Sequence, residues 1–297
     1  MTLAQLLSGT LAALIVGTVM GQVLRRTART EPVRATVANI NARIAAWWVL
    51  CGVTALALLL GAGAVCVLFA VFSALGVREL APRPTSLLLA LTALQYGLVW
   101  QGVFLTAMPV AALLAIAIRE MAAADTARYL ERVAENYCAF LIAVYLVSFA
   151  AALHNPTLLF YFLLVVQAGD VLQYCWGKLV GRRPVAPRIS PNKTWEGFVG
   201  GTLTATALGT ALYRATPFGP YQAAAICVAI SLAGFAGGLT MSAIKRRRGI
   251  KDFGTLVKGH GGMMDRMDSL CFSAPVFYLA VRLLADRVYR QSGLSGR

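Results

Sequence analysis

Apolar residues in this chain come in long blocks parted by short polar connections, without the three- and four-residue spacing that marks a helix with one wet face. The first block, "LAQLLSGTLAALIVGTVMGQ", ends at Gln22. A second runs from Ala46 to Val77, too long for one crossing, and "GAGA" at Gly61–Ala64 interrupts it, so it predicts two short spans. Further spans are expected over Ser86–Trp100, Val103–Ile118, Tyr137–Ala152, Leu158–Leu179, Phe198–Tyr213, Tyr221–Met241 and Leu270–Leu284. A helix crossing the hydrocarbon needs about 20 apolar residues, fewer where neighbours cover the backbone, and the chain offers roughly nine or ten such blocks. The expected fold is therefore all-α, a polytopic integral membrane helical bundle with about 9–10 transmembrane helices. Blocks of this length exceed the roughly ten-residue alternating segments of a membrane barrel.

The connections carry the polar residues. Arg25, Arg26, Arg29, Arg34 and Arg43 form a basic loop after the first block, and "REMAAADTARYLERVAEN" reads as a polar helix at the membrane face. "GKLVGRRPVAPRISPNKTWEG" reads as a loop of turn formers and cations. "GFVGG" and "GFAGG" each hold a GxxxG pair, Gly197 with Gly201 and Gly234 with Gly238, whose expected role is close helix contact. One polytopic domain spans 1–297, with N-terminal spans in 1–160 and the chemistry in 161–297.

Composition agrees, with 59% of residues hydrophobic and 13% charged. A net charge of +15 would suggest nucleic acid in a soluble protein; here the cations sit between apolar blocks, where they set topology and meet anionic headgroups, so no nucleic-acid partner is expected. The cysteines Cys51, Cys66, Cys138, Cys175, Cys227 and Cys271 lie in or beside apolar blocks without metal-ligand spacing and read as small hydrophobes. The first block carries its arginines after the apolar stretch, which predicts a retained helix instead of a cleaved signal.

Three polar clusters are expected to meet on one membrane face. Asp170 stands inside "LLFYFLLVVQAGDVLQYCWGKLV", at a depth where a carboxylate costs several kcal/mol unless it faces a cavity, a cation or a metal. "SPNKTWEG" brings Ser190, Lys193, Thr194 and Glu196 to a helix start, where Thr194 suits a cap and Lys193 suits a phosphate. In the third cluster, Ser242, Lys245 and Arg246 share one helical face. Lys251 and Asp252 follow, then His260, Gly261 and Gly262, then Asp265, Arg266 and Asp268 at the entry of the last span. Helix dipoles alone favour cations at one helix end and acids at the next start, but they do not account for the His-Gly-Gly turn or the density of charge. The groups suit a polyphosphate held by Lys and Arg with one or two hard divalent cations on Asp oxygens, which is the equipment of phosphoryl or nucleotidyl transfer.

The string "SAIKRRRGIKDFGTLVKGHGGMMDRMD", from Ser242 to Asp268, resembles the signature of the phosphatidate cytidylyltransferases, the CDP-diacylglycerol synthases. "SPNKTWEGFVGG" is similar to the family's SPxKTxEG segment, and Asp170 with Tyr174 to its Asp-x-x-x-Tyr segment. The resemblance is close over roughly the C-terminal 130 residues. It implies a magnesium-dependent reaction of CTP with phosphatidic acid, giving CDP-diacylglycerol and pyrophosphate, with a second cation as a further expectation. It also implies a bacterial inner-membrane setting, an active site facing the cytoplasm, contacts with membrane lipids, and a homodimer as is common in the family.

Carried onto this sequence, Asp265 would be a metal ligand and Asp268 and Asp252 would support the metal. Lys193, Lys245, Arg246, Lys251 and Arg266 would bind phosphates, with Ser190, Ser242 and Asp170 in the substrate site. His260, Gly261 and Gly262 would shape a turn beside the nucleotide. One departure stands out: the family carries Gly-Asp shortly before the signature serine, and here the acidic position is Gly238. A CTP-dependent lipid kinase, or a catalytically silent scaffold paralogue, are the alternative readings.

Overall fold

Without water to satisfy them, backbone N–H and C=O groups in hydrocarbon must pair within their own segment, and these blocks do so as helices. The computed structural model describes residues 1–27, 30–81, 86–122, 126–254 and 261–291. Its elements in order are α1 (Leu3–Thr27), α2 (Glu31–Leu60), α3 (Ala62–Leu80), α4 (Ser86–Trp100), α5 (Met108–Ala122) and α6 (Tyr129–Phe140). A π-helical turn at Leu141–Tyr145 leads from α6 into α7 (Leu146–Ala151), followed by α8 (Pro156–Val180). The strands β1 (Pro184–Ala186) and β2 (Ser190–Thr194) precede α9 (Trp195–Ala211), α10 (Pro220–Arg247) and α11 (Met264–Gln291).

Among the described residues, six helical stretches are long and apolar enough to cross a membrane: Leu3–Thr27, Ala62–Leu80, Tyr129–Ala151, Pro156–Val180, Pro220–Arg247 and Met264–Leu284. Trp47–Leu60 and Ser86–Trp100 are shorter apolar helices. The chain is thus an all-α polytopic bundle. Its helices run past the apolar blocks, because Arg and Ala continue a helix into the polar zone as well as Leu does. The expected basic loop after Gln22 is therefore mostly helix: α1 reaches Thr27, and α2 begins at Glu31 with proline in its first turn. The "GAGA" break is at Gly61, whose φ of 103° lies where glycine is favoured.

The "REMAAADTARYLERVAEN" segment is divided between two helices. Its start ends α5, and its end opens the continuous run from Tyr129 to Ala151. Glu120 of α5, only 3% exposed, ties the two together by accepting from Arg132 Nε at 3.0 Å and Asn136 Nδ2 at 3.2 Å. The expected loop before "TWEG" contains an antiparallel hairpin, with Pro184 paired to Thr194 and Ala186 to Ser190. Thr194 does cap α9, accepting from Gly197 N at 3.2 Å. Glu196 accepts from the backbone of Arg182 and Arg183 at 3.0 and 3.1 Å, which holds its carboxyl below the usual range and pins the hairpin to the helix.

Glycines set the spacing of the C-terminal helices. A Cβ on Gly197 would stand 2.8 Å from Gly177 Cα, and one on Gly201 2.5 Å from Gln173 Cα, so α9 lies directly on the backbone of α8. Gly234 is packed against Ser269 and Ser273 of α11, and Gly237 against Phe272. These contacts bring α8, α10 and α11, the carriers of Asp170, Lys245 and Asp265, to one place.

Candidate active site

The signature segment folds as the end of α10, a loop, and the start of α11, and Asp265 is its brace. Asp265 Oδ1 accepts from Lys245 Nζ at 2.8 Å; Oδ2 accepts from Phe253 N at 2.8 Å and Gly262 N at 2.9 Å. The pair is well covered, with side chains 13% and 8% exposed, so each charge stabilises the other in a poorly hydrated place. Gly261, at φ +82°, and Gly262 are glycines of necessity. A Cβ on the first would meet the Asp265 carboxylate, and one on the second would meet Glu79.

A second group lies beside it. The Ser269 hydroxyl donates to Asp170 Oδ1 at 2.8 Å, and Asp268 Oδ1 accepts from Ser269 N at 2.8 Å, so one serine joins a carboxylate of α8 to one of α11. Lys193, from the end of the hairpin, places Nζ 5.0 Å from the centroid of the Phe235 ring. Burial pulls the Lys193 ammonium below the usual lysine range, and the nearby Asp268 and Asp170 carboxylates oppose that pull. A side chain at Gly238 would collide with Lys193 Nζ and stand 3.6 Å from Asp268 Oδ2.

Sequence reasoning missed Glu79, the end of α3. Its carboxylate accepts from Met263 N and Met264 N, each at 2.8 Å, capping α11 where the free N–H groups point. Gly254 and Gly262 close around it. Arg248 returns the contact, donating from Nη1 to Glu79 O at 3.1 Å and from Nη2 to Leu80 O. Glu79→Ala is expected to lower the activity proposed below by about 10- to 100-fold, the usual cost of losing a positioning partner, while Glu79→Gln retains more. Turnover of the two variants, measured beside their thermal midpoints, checks this; equal and unaltered turnover contradicts it.

The remaining candidates separate. Ser242 donates its hydroxyl to Gly238 O at 2.7 Å, within its own helix. Arg246 is exposed and straps α10 to the hairpin, donating from Nε to Ile189 O at 3.2 Å. Ser190 is half-buried at the start of β2. Lys251 and Asp252 are exposed on the loop, in contrast to the covered Asp265. Arg266 lines an apolar cavity with Trp47, Phe160, Met263, Met267 and Leu270, between α2, α8 and α11. His260 lies outside the described residues.

The donor set fits a hard divalent cation such as magnesium in a particular way. Asp170 Oδ2 and Asp268 Oδ2 accept no hydrogen bond among the described residues, whereas Asp265 has both oxygens engaged. Among the described residues no three His, Cys, Asp or Glu side chains form a ligand group. Magnesium commonly takes one or two carboxylates and completes its shell with water and substrate phosphates.

The fold and the site thus define a polytopic membrane protein with a lysine–carboxylate centre assembled from α8, the hairpin, α10 and α11. The profile of the cytidylyltransferase family matches residues 41–284, and the chain belongs to that family. It is 38% identical over 192 residues to Uncharacterized protein YnbB of Escherichia coli (strain K12), covering 60% of this chain and 63% of that one. It is 43% identical over 144 residues to the phosphatidate cytidylyltransferase of Mycobacterium leprae (strain TN), covering 46% of each. With the phosphatidate cytidylyltransferase of Bacillus subtilis (strain 168) the figures are 39% over 134 residues, 44% of this chain and 50% of that one. The chain therefore spans about half the length of the curated phosphatidate cytidylyltransferases it matches.

Proposed function

We propose that this protein transfers CMP from CTP to a lipid phosphate, phosphatidic acid in the first place, forming CDP-diacylglycerol and pyrophosphate at the cytoplasmic face of a bacterial inner membrane. The observation that carries the reading is the joining of Asp170, Lys193, Lys245, Asp265 and Asp268 into one charged centre, with Lys245 and Asp265 at the ends of apolar helices and Asp170 inside another. A water-soluble nucleotide and a lipid headgroup can meet only at such a border. The family membership and the names of the relatives support the choice of CTP and phosphatidate.

In this reading a phosphate oxygen of the lipid attacks the α-phosphorus of CTP. The bond from that phosphorus to the bridging oxygen breaks, and pyrophosphate leaves with the electron pair. Lys193 and Lys245 hold phosphate oxygens and oppose the charge that spreads over them, while Arg246, Lys251 and Arg266 draw the polyphosphate in. Asp170, Asp268 and, once Lys245 turns to a phosphate, Asp265 would hold magnesium, which would neutralise phosphate charge and polarise the reacting phosphorus. Asp252, exposed, is left outside this set. The apolar cavity beside Arg266 gives an acyl chain a place next to a cation for its headgroup.

Purified protein in mixed micelles with phosphatidic acid, magnesium and CTP labelled at the α-phosphate is expected to carry label into the lipid fraction and release pyrophosphate. Release of CDP would instead identify a CTP-dependent lipid kinase. Neither product, with no CTP bound, would make the chain a scaffold that keeps the family's signature.

A further inference from the structure

Gln167 lies inside the apolar stretch Pro156–Val180, half-buried, and its side-chain amide makes no hydrogen bond among the described residues. At that depth no bulk water replaces a missing partner, so the amide costs free energy unless a ligand meets it. Gln167 opens onto the cavity that Arg266 also lines, about 710 Å³ of non-atom space walled chiefly by Thr10, Trp47, Phe69, Phe72, Phe160 and Leu163. A mostly apolar space of about 300–1,000 Å³ with a few placed polar groups is the usual form of a ligand site. Thr10 donates its hydroxyl to Leu6 O at 2.9 Å within its own helix, so its proton is already placed and the amide stays the donor at mid-depth. Helix α1, which brings Thr10 to the cavity, precedes the residues 41–284 on which family membership rests, so membership does not imply this wall. Depth separates the two polar groups. Asp170 meets Ser269, and further from the charged centre Phe162 stacks on Phe277 with ring centroids 5.0 Å apart, so α8 and α11 run antiparallel. Gln167 is one turn from Asp170 toward that ring pair, and Arg266 is one turn from Ser269 toward Asp265 and Lys245. At the rise of a helix the two stand about 9 Å apart in depth, the span of a glycerol unit between its phosphate and its ester carbonyls.

We propose that Gln167 donates a hydrogen bond to an ester carbonyl of the lipid acceptor, whose acyl chain fills this cavity and whose phosphate lies at the Arg266 end, so that the site selects an ester-linked glycerolipid phosphate over a polyprenyl phosphate. The proposal rests on the lipid-phosphate reading above. Lipid tails are as apolar as the cavity wall, so the hydrophobic effect gives little selection between bilayer and cavity, and fit and hydrogen bonding must supply it. The amide N–H groups need an acceptor, which an ester carbonyl provides and a polyprenyl chain does not.

Binding is measured in detergent without CTP or divalent cation, so that no turnover enters. Phosphatidic acid, its dialkyl ether analogue of equal chain length and a polyprenyl phosphate are compared on the wild type and on Gln167→Met, which keeps the length of the side chain and loses the amide. The wild type is expected to bind the ester lipid about five- to tenfold more tightly than the ether lipid, with the polyprenyl phosphate weaker than the ester, and Gln167→Met to bind ester and ether alike at the weaker level. A wild type that binds ester and ether alike, or the polyprenyl phosphate most tightly, overturns the proposal, as does a Gln167→Met protein of unaltered elution that keeps the preference. Should that variant not fold, the comparison on the wild type decides alone. Trp47 reports the place of the chain: phosphatidic acid brominated on its acyl chains is expected to give saturable fluorescence quenching that is lost in Trp47→Phe, and saturable quenching unaltered in that variant puts the chain elsewhere and overturns the proposal. Label transfer from CTP to ester and ether lipids bound equally well removes only the role given to Gln167, whereas a folded wild type that binds no lipid phosphate removes the lipid-phosphate reading together with it.

Discussion

Asp265→Asn is expected to lower the proposed lipid cytidylyl transfer by about a hundredfold to a thousandfold, the scale on which electrostatic groups act in water-poor sites. Two losses combine. Asparagine can keep an oxygen on the N–H groups of Phe253 and Gly262, so the turn survives, but its amide then meets the Lys245 ammonium donor to donor. The charge that would serve a cation is gone, and Lys245 loses the partner that positions it. Thermal unfolding followed with label transfer separates these losses from misfolding: elution as a folded species with turnover gone is the expected pair. A variant that transfers label as well as the wild type would remove Asp265 from the site. Lys245→Met, which leaves a covered carboxylate without its partner, is the companion variant.

The second large effect is mechanical. Gly201→Ala places a methyl group 2.5 Å from Gln173 Cα and N, and those are backbone atoms that cannot rotate aside. Overpacking of this kind costs about 1–3 kcal/mol, and here the strain is relieved only by moving α8 away from α9. Asp170 rides on α8, so activity falls together with the thermal midpoint. Gly9→Ala in α1 is the matched control, because nothing lies within 4 Å of a methyl group there and alanine is the better helix former. A midpoint that drops for Gly201→Ala and holds or rises for Gly9→Ala is the expected outcome. Equal behaviour of the two would mean that α8 and α9 do not approach as described.

Much of this was legible along the chain. The burial of Asp170, the glycine pair of α9 and Gly234 of α10, and the cap at Thr194 each follow from a local rule, and the structure places each in the packing or bonding that the rule anticipates; Gly238, the partner of Gly234 in the sequence pattern, faces Lys193 instead, and Gly237 makes the helix contact. The helix ends did not follow, because hydropathy marks where the hydrocarbon ends and says little about where a helix does. Glu79 was hidden for a different reason. In "VREL" it reads as one of several charges at the end of a span, and only the fold reveals that its partners are 184 and 185 residues away. Within the signature, Lys251 and Asp252 look as important as Lys245 and Asp265, yet the first pair faces water and the second forms the covered ion pair. The two glycines after His260 are needed for approach to Asp265 and Glu79, so their small size already has a use before any nucleotide arrives.

The reach of Glu79 across the chain also orders the protein's manufacture. α3 leaves the ribosome and enters the bilayer long before α11 exists, so its carboxylate waits with no helix end to hold, and Arg248 emerges only shortly before the last helix does. The charged centre can close only when α11 has been inserted. A nascent chain stalled short of that point contains most of the spans but cannot yet shape the site, so assembly of the membrane bundle and onset of its chemistry coincide at the final insertion step.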